Sequence, residues 1–243
     1  MTTTRDHPAL PAGILSVVMP AYNEERTIGA CLERVLRELY VKEVIVVDDA
    51  SSDSTASVVR ALLKSHPRIR LEVHPRNRGK GAALRTGFGL ATAEMVIVQD
   101  ADLEYDPADY EHALRPVLQG HADVVFGSRF VGGGAHRVLY FWHYVGNRFL
   151  TLLSNCFTGL NLTDMESGLK LFRREVLARM VLRENRFGIE PELAAKVAAL
   201  GVRIYEVPVS YYGRTYAEGK KIGWKDGVWT LWCILKYGVG RWL

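Results

Sequence analysis

The stretch VIVVDDASSDST, residues 44–55, determines the fold class that the sequence predicts. Its four leading apolar residues indicate a short strand. The acidic and small hydroxyl residues that follow are typical of a loop leading into a helix N-terminus. The stretch therefore predicts a strand, a polar loop and a helix in succession, which is the building unit of an α/β fold.

The same alternation of short apolar runs and amphipathic stretches extends over the first half of the chain. It is the pattern of βαβ units, so we predict an α/β fold with a Rossmann-like, mostly parallel sheet and helices on both faces. Asp106 is expected to cap a helix, because Pro107 after it suits the first helical position. The predicted strands are Leu15–Met19, Val44–Asp48, Ile69–Val73, Met95–Gln99 and Asp123–Gly127, and the predicted helices cover about Thr27–Tyr40, Ser54–Ser65, Gly81–Ala91 and Pro107–Leu118.

Beyond Gly132–Gly134 the chain becomes rich in aromatic residues. Val138–Phe157 predicts a long amphipathic helix, and Trp224–Leu243 predicts a terminal one. Between them the sequence predicts a strand near Leu169–Phe172, a helix over Pro191–Leu200 and a strand over Arg203–Val207. We therefore divide the chain into a flexible segment 1–14, a catalytic domain 15–210, and a basic loop with a C-terminal amphipathic helix, 211–243.

Composition limits the classes of protein to which the chain can belong. Its 31 basic and 27 acidic residues give a net charge of +4, too small an excess to indicate nucleic acid, but suited to anionic ligands or an anionic membrane surface. Three scattered cysteines without C-x-x-C spacing argue against a disulfide framework and a zinc site. The N-terminus lacks an apolar signal-peptide core and no apolar run reaches the length of a membrane span, so we expect a cytoplasmic protein.

Acidic residues cluster at the ends of three predicted strands. In an open parallel sheet these carboxyl ends share one edge, where ligands bind. Carboxylates aimed at one crevice repel one another, and a divalent cation is the simplest compensation. Asp100 and Asp102, two apart at the end of an extended run, point the same way and offer the hard oxygen ligands that Mg²⁺ or Mn²⁺ prefers. The full set is Glu24, Asp48, Asp49, Asp53, Asp100, Asp102 and Glu104.

Two features of these loops have simpler alternatives. Acids after strands also cap helices, which fits Asp53 and Asp106, but no helix directly follows Asp100. The loop RGKG, residues 78–81, precedes a predicted helix and could receive phosphate on its backbone N–H groups. It has neither the spacing of a Walker A loop nor the third glycine of a dinucleotide fingerprint, so a plain helix-starting loop fits it equally well.

Together the motifs PAYNE (20–24), VDDASSDST (47–55), NRGKGAAL (77–84) and DADLE (100–104) resemble family 2 glycosyltransferases. The later motifs FGSRF (126–130), TDMESGLKLFRR (163–174) and YGRTYAEGKKIGWKDG (212–227) are similar to those of dolichyl- and polyprenyl-phosphate mannose or glucose synthases. The resemblance covers roughly Leu15 to Leu243. It implies a GT-A fold and a nucleotide-sugar donor.

The resemblance also implies a role for each matching residue. Asp100 and Asp102 would hold Mg²⁺ or Mn²⁺ on the diphosphate, with Glu104 beside them. Arg129 would face the acceptor phosphate, and Asp164 would lie near the reacting centre. Glu190 and Glu192 fit better as carboxylates that stabilise a helix N-terminus. The base and ribose pocket would be lined by Pro20, Tyr22, Glu24, Asp49 and Asp53, while Lys80, Arg214 and Lys220 would reach the phosphates.

The function that the sequence predicts is inverting transfer of mannose or glucose from a nucleoside-diphosphate sugar to a polyprenyl or dolichyl phosphate. One alternative is transfer to a soluble hydroxyl acceptor, which would need Glu190 or Asp164 as general base. A nucleotidyltransferase would carry a glycine-rich basic loop after its first strand, where this chain has PAYNE. A non-catalytic membrane-docking module has little need for clustered acids at three strand ends.

The two aromatic stretches predict contact with a membrane surface. Trp and Tyr prefer the headgroup level and basic residues favour anionic lipid, so 138–157 and 224–243 are expected to lie at the inner face of the cytoplasmic membrane. The alternative is that they pack against the catalytic core or against another copy of the chain in a homo-oligomer. Tyr211–Lys221, with glycines and basic residues but little to bury, is predicted to be a mobile lid, and an ordinary exposed basic loop is the alternative.

Overall fold

The computed structural model describes residues 10–132, 137, 138, 140–214 and 224–239. Of the predicted flexible segment 1–14, residues 1–9 lie outside this part, and Leu10 and Ile14 pack against the core. The described residues form one sheet of strands β1 (Leu15–Ala21), β2 (Val41–Asp48), β3 (Ile69–Val73), β4 (Met95–Val98), β5 (Val124–Ser128), β6 (Lys170–Arg173) and β7 (Ile204–Pro208).

The strands lie in the order β3-β2-β1-β4-β6-β5-β7. Neighbouring strands are parallel except at β6, which runs antiparallel to both β4 and β5. The prediction of a mostly parallel α/β sheet is therefore confirmed, although nothing in its short apolar run indicated the direction of β6. The strand order reverses at β1, so the carboxyl ends of β1, β2 and β4 meet at one edge.

Helices cover both faces of the sheet, as predicted. On one face Leu32 packs with Met19, and on the other Leu84 and Leu193 pack with Val18. Val18 and Met19 serve different cores because alternate residues of a strand point to opposite faces. The described helices are α1 (Ile28–Arg37), α2 (Thr55–Leu63), α3 (Lys80–Leu90), α4 (Tyr110–Leu118), α5 (Phe141–Thr158), α6 (Arg174–Ala178), α7 (Ile189–Leu200) and α8 (Trp224–Val239).

Several predicted boundaries differ from the structure for identifiable reasons. The helix predicted to reach Tyr40 ends at Arg37, because the chain turns and starts β2 at Val41, earlier than predicted. The helix predicted from Pro191 begins at Ile189, since the first turn of a helix needs no N–H from a proline. The short helix α6 was not predicted. The predicted cap is present: the Asp106 carboxylate accepts the N–H of Ala108 at 3.1 Å, at the start of a 3-10 turn over Pro107–Asp109 that leads into α4.

Glu184 fastens the terminal helix α8 to the catalytic domain. Its carboxylate accepts hydrogen bonds from Trp229 Nε1 at 3.2 Å, Lys236 Nζ at 2.7 Å and the Tyr237 hydroxyl at 2.7 Å. Cys233, on the same helix, is fully buried. One face of α8 therefore packs against the core, which is the alternative to a wholly interfacial helix.

We expect Gly87→Ala to destabilise the fold, because a Cβ at this position of α3 would overlap Val18 Cγ1 in the buried strand β1. Overpacking of this kind costs about 1–3 kcal/mol. Gly89→Ala is the matched control: it lies in the same helix with nothing within 4 Å of its Cβ, and should stabilise by roughly 0.5–1 kcal/mol. Urea unfolding measures both, and equal free energies of unfolding for the two variants would contradict the close α3–β1 packing.

Candidate active site

A cleft of about 380 Å³ opens at the edge where β1, β2 and β4 end. It brings together most of the residues that the sequence singled out, although they come from loops far apart in the chain. The predicted residues that line it are Pro20, Tyr22, Glu24, Asp49, Lys80, Asp100, Asp102, Glu104, Arg129 and Arg214.

Three predicted site residues are not among those lining the cleft. Asp53 accepts the backbone N–H groups of Thr55 at 2.9 Å and Glu25 at 3.1 Å, so it links the loops after β1 and β2. Asp164 is fully buried beneath Arg129. Lys220 lies outside the described residues, as does the predicted lid beyond Arg214.

The backbone of the acidic loops is held in left-handed conformations at non-glycine residues. Asn23, Ala50 and Leu103 have φ values of 53°, 59° and 63°, one in each of the loops after β1, β2 and β4. Such conformations cost of order 1–3 kcal/mol for residues other than glycine and cluster at functional sites, where the surrounding structure enforces them. Side chains supply part of that enforcement: Asn23 Oδ1 accepts the N–H of Ser52 at 2.8 Å.

Arg214 lies among the carboxylates that were predicted to hold a metal. Its guanidinium contacts Asp102 Oδ2 at 2.9 Å, Glu24 Oε2 at 3.1 Å and Glu104 Oε1 at 3.4 Å. Burial and the charges of Asp100 and Glu104 raise the pKa of Asp102 to about 7, and the charge of Arg214 opposes that shift. Excess negative charge is therefore concentrated here, and one arginine balances part of it.

Lys80 balances another part of the charge, on the other side of the cleft. Its Nζ lies 2.9 Å from Asp100 Oδ1 and 3.1 Å from Glu190 Oε1. Burial would lower the pKa of Lys80, but the charges of Asp100 and Glu190 outweigh it and raise the pKa above its usual value. The ammonium group therefore stays charged inside the cleft.

The expected role of Glu190 at a helix N-terminus was wrong in one respect. Glu190 does open α7, but its side chain lines the cleft and also pairs with the buried Lys170. Glu192 behaves as expected: it is fully buried and accepts the backbone N–H groups of Arg183 at 2.8 Å and Glu184 at 2.7 Å. Both carboxylates lie in the first turn of α7. They differ in the direction of the side chain, since that of Glu190 points to the cleft and that of Glu192 to the backbone before the helix.

Asp49 shapes the loop that was predicted to receive phosphate. Its carboxylate accepts the N–H groups of Arg78 at 2.9 Å and Gly79 at 2.6 Å, and lies 2.6 Å from His74 Nδ1. Two backbone donors of the RGKG loop are thus already bonded to protein. The structure therefore favours the helix-starting alternative, with Lys80 as the group that this loop presents to the cleft.

Asp164 holds Arg129 in a two-pronged ion pair. Arg129 Nε lies 2.6 Å from Asp164 Oδ2, and Nη2 lies 2.7 Å from Oδ1. Burial would raise the pKa of Asp164, but the charge of Arg129 outweighs it and holds the pKa below its usual value. A buried carboxylate with both oxygens engaged orients the arginine and is poorly placed to remove a proton from a substrate.

Glu166 is one of the cleft residues that the sequence did not single out. It lines the cleft, and its Oε1 is buried without a hydrogen-bond partner among the residues that the structure describes. Burial and the charge of Glu190 raise its pKa to about 7, against the charges of Lys170 and Arg129. The available signal was its place in TDMESG, two residues after Asp164, but a lone acid before a strand carries no pattern by itself.

The carboxylates of the cleft are suitable ligands for a divalent cation, although the described side chains are not already arranged around a metal position. No three His, Cys, Asp or Glu side chains among the described residues converge as an ion site. Asp100, Asp102 and Glu104 all line the cleft, and burial together with the charges of Asp100 and Glu104 raises the pKa of Asp102. Hard carboxylate oxygens in excess over nearby cations are the donors that Mg²⁺ or Mn²⁺ takes.

A model of the family described as Glycosyl transferase family 2 matches residues 16–181, more than half of the chain. The chain belongs to glycosyltransferase family 2. The resemblance seen in the motifs is thereby confirmed, and the protein is a glycosyltransferase. Family membership leaves no support for the nucleotidyltransferase and docking-module alternatives.

Relatives and solved structures agree with this family 2 assignment. A dolichyl-phosphate beta-glucosyltransferase from Trichomonas vaginalis is 31% identical over 83% of this chain and 67% of that protein. An undecaprenyl-phosphate mannosyltransferase from Micrococcus luteus is 30% identical over 85% of this chain and 86% of that protein. The crystal structure of glucosyl-3-phosphoglycerate synthase from Mycobacterium tuberculosis with Mn²⁺, uridine diphosphate and phosphoglyceric acid has a TM-score of 0.71 at 22% identity, over 92% of this chain and 78% of that one. The shared fold confirms the predicted GT-A architecture.

We expect Asp102→Asn to lower the affinity for Mn²⁺ by about 10-fold or more and to abolish sugar transfer. Even the loss of a residue that only hydrogen-bonds to a metal ligand typically lowers metal affinity by about 10-fold, and Asp102 is proposed to bind the metal directly. EDTA should stop the wild-type reaction. Asp106→Asn is the control, because Asp106 only caps the turn before α4 and asparagine caps equally well. Electron paramagnetic resonance of Mn²⁺ titrations reports binding independently of turnover. Unchanged Mn²⁺ binding in Asp102→Asn would show that this carboxylate is not a ligand.

Proposed function

We propose that this glycosyltransferase moves a hexose, mannose or glucose, from a nucleoside-diphosphate sugar to a polyprenyl phosphate with inversion at the anomeric carbon. The observation that carries the proposal is the position of Arg129. Its guanidinium lines the same cleft as the acidic cluster, and the next residue, Phe130, packs edge-on against Tyr144 of α5 with ring centroids 5.3 Å apart. A cation for phosphate thus adjoins an exposed aromatic helix, which suits a phosphate carried on an apolar chain.

The donor side of the proposal rests on the acidic cluster. Asp100, Asp102 and Glu104 would hold Mg²⁺ or Mn²⁺, which supplies a Lewis acid for the charge that develops on the leaving nucleoside diphosphate. Arg214 already lies in this cluster, and a guanidinium gives phosphate oxygens charge-assisted hydrogen bonds. Pro20, Tyr22 and Glu24 line the part of the cleft next to the loop after β1, where we place the nucleoside.

The acceptor side needs no general base. A phosphate monoester has a second pKa of about 6, so near neutral pH it is already ionised and can attack directly. The two carboxylates that the sequence offered as alternative bases for a hydroxyl acceptor are both engaged, Asp164 with Arg129 and Glu190 with Lys80 and Lys170. These pairings favour an ionised lipid phosphate over a soluble hydroxyl acceptor. The names of the two relatives with dolichyl- and undecaprenyl-phosphate activities support the same choice.

The aromatic surface of α5 and α8 is the proposed membrane contact. Trp142 is 78% exposed and Phe149 is 57% exposed, and the two lie seven residues apart on one face of α5. On α8, Trp232 is 55% exposed, although the next residue, Cys233, is buried. A row of exposed large apolar residues marks an interaction surface. The exposed apolar side chains of the two helices are Phe141, Trp142, Tyr144, Val145, Phe149, Leu152, Val228, Trp229, Trp232 and Leu235.

None of the described helices is both long and apolar enough to cross a bilayer. Aromatic residues with adjacent basic ones, such as Arg148, suit the interface of an anionic membrane. Cys31, Cys156 and Cys233 are free thiols, which fits a reducing compartment. We therefore place the enzyme peripherally at the inner face of the cytoplasmic membrane, where a polyprenyl chain would stay in the bilayer while its phosphate enters the cleft.

We expect the wild-type protein to float with anionic vesicles that contain undecaprenyl phosphate, and the double variant Trp142→Glu, Phe149→Glu to stay in the soluble fraction. Each large apolar side chain contributes about 1.5 kcal/mol or more when buried. Two losses should therefore lower partitioning by at least about 100-fold. Transfer to lipid should fall with it, while binding of the nucleotide sugar stays unchanged.

Leu39→Glu is the matched control, because Leu39 is 81% exposed but lies between α1 and β2 and away from α5. It should float like the wild type. A wild-type protein that fails to float, or a Leu39→Glu variant that behaves like the double variant, would count against the membrane surface.

A further inference from the structure

Two neighbouring polar atoms near the cleft have no hydrogen-bond partner among the residues that the structure describes. Glu166 Oε1 and Ser167 Oγ are both buried and make no hydrogen bond to any residue within the described part of the chain. Buried polar atoms in native proteins are almost always paired, because an unpaired one loses its hydration without compensation. Glu166 also lines the cleft, so the missing partner of its Oε1 can come from a bound molecule.

The position of Glu166 in the chain places it between the two halves of the reaction. Two residues before it, Asp164 holds Arg129, the proposed acceptor-phosphate group. Two residues after it, Gly168 backs onto Asp100 so closely that a Cβ there would overlap Asp100 Oδ2. The transferred sugar must lie between the acceptor phosphate and the metal-bound diphosphate. Glu166 therefore adjoins the space that the sugar has to occupy.

The charges around Glu166 select the chemistry of its partner. Glu190 and Asp164 are negative neighbours, and Lys170 and Arg129 are the positive ones. Lys170 and Arg129 are already paired with Glu190 and Asp164. A phosphate placed directly against Glu166 would meet the negative charge of this carboxyl group and of Glu190, whereas a neutral O–H group can supply the hydrogen-bond donor that Glu166 Oε1 lacks among the described residues.

We propose that Glu166 accepts a hydrogen bond from a hydroxyl group of the transferred hexose and so helps to select which donor sugar is used. The inference rests on the proposed nucleotide-sugar donor and goes beyond it by naming a specificity residue. Hydrogen bonds to a buried carboxylate discriminate well, because a sugar that lacks the hydroxyl, or carries it in the other configuration, leaves the carboxylate unpaired.

The test compares binding of sugar nucleotides with binding of the bare nucleotides, without any lipid acceptor. Calorimetry with Mn²⁺ measures UDP-glucose and GDP-mannose against UDP and GDP, for wild type and Glu166→Gln. We expect the variant to lose affinity for the preferred sugar nucleotide by about 10-fold or more. Affinity for the bare nucleotide should stay the same. Equal losses for both ligands would show that Glu166 is only structural and would overturn the proposal, as would no loss for either.

Glu43→Gln is the matched control for removing a partly buried carboxylate. Glu43 accepts hydrogen bonds from Ser16 at 2.6 Å and from the N–H of Thr92 at 2.7 Å, at the amino ends of β1 and β4, away from the cleft. This variant should leave both affinities unchanged. If it lowers sugar-nucleotide affinity as Glu166→Gln does, the effect is not local and the proposal fails.

Deoxygenated sugar nucleotides supply a second measurement that does not depend on the variant folding. In the wild type, removing one particular hydroxyl should cost affinity, and that loss should vanish in the Glu166→Gln background while losses at other positions persist. A wild type that binds every deoxy donor as tightly as the parent would overturn the inference. Because no acceptor is present, these outcomes stand apart from a failure to transfer sugar to polyprenyl phosphate.

Discussion

Repulsion between carboxylates is the constraint on which the rest of this structure depends. Glu24, Asp100, Asp102 and Glu104 line one cleft, where burial and the charges of Asp100 and Glu104 raise the pKa of Asp102 to about 7. In the described chain Arg214 and Lys80 balance this charge with ion pairs. The same clustering of carboxylate oxygens suits a divalent cation bound to a diphosphate. The repulsion that destabilises the protein therefore comes from the residues that form the proposed metal site.

The cations that balance the acids tie distant parts of the chain to the cleft. Arg214 comes from beyond the last strand, and Lys80 starts α3 and reaches Glu190 at the start of α7. The loop that precedes α7 is in turn fastened to α8 through Glu184. The proposed membrane helix α8 is therefore linked to the cleft through the segment that runs from Glu184 to Glu190, which is held by ion pairs at both ends.

The sequence predicted the features that depend on a local pattern of residues. It did not predict the direction of a strand or the orientation of an individual side chain. The apolar runs predicted the α/β fold, and the strand-end acids predicted the carboxylates of the cleft, Glu24, Asp49, Asp100, Asp102 and Glu104, because parallel strands place their carboxyl ends together. The antiparallel direction of β6 was not predictable, because a short apolar run indicates a strand but not its direction relative to its neighbours. Glu190 and Glu192 differ only in which way each side chain points. Glu166 became visible only in the structure, as a cleft residue with a buried oxygen that has no hydrogen-bond partner in the described part of the chain.

The most direct test of the account offers the enzyme polyprenyl phosphate and the corresponding free polyprenol side by side, with Mn²⁺ and a labelled nucleotide sugar. If an ionised phosphate attacks without a general base, only polyprenyl phosphate gives product, and NMR of that product shows an inverted anomeric carbon linked through phosphate. Transfer to the polyprenol hydroxyl, or a product that retains the donor configuration, would contradict the account.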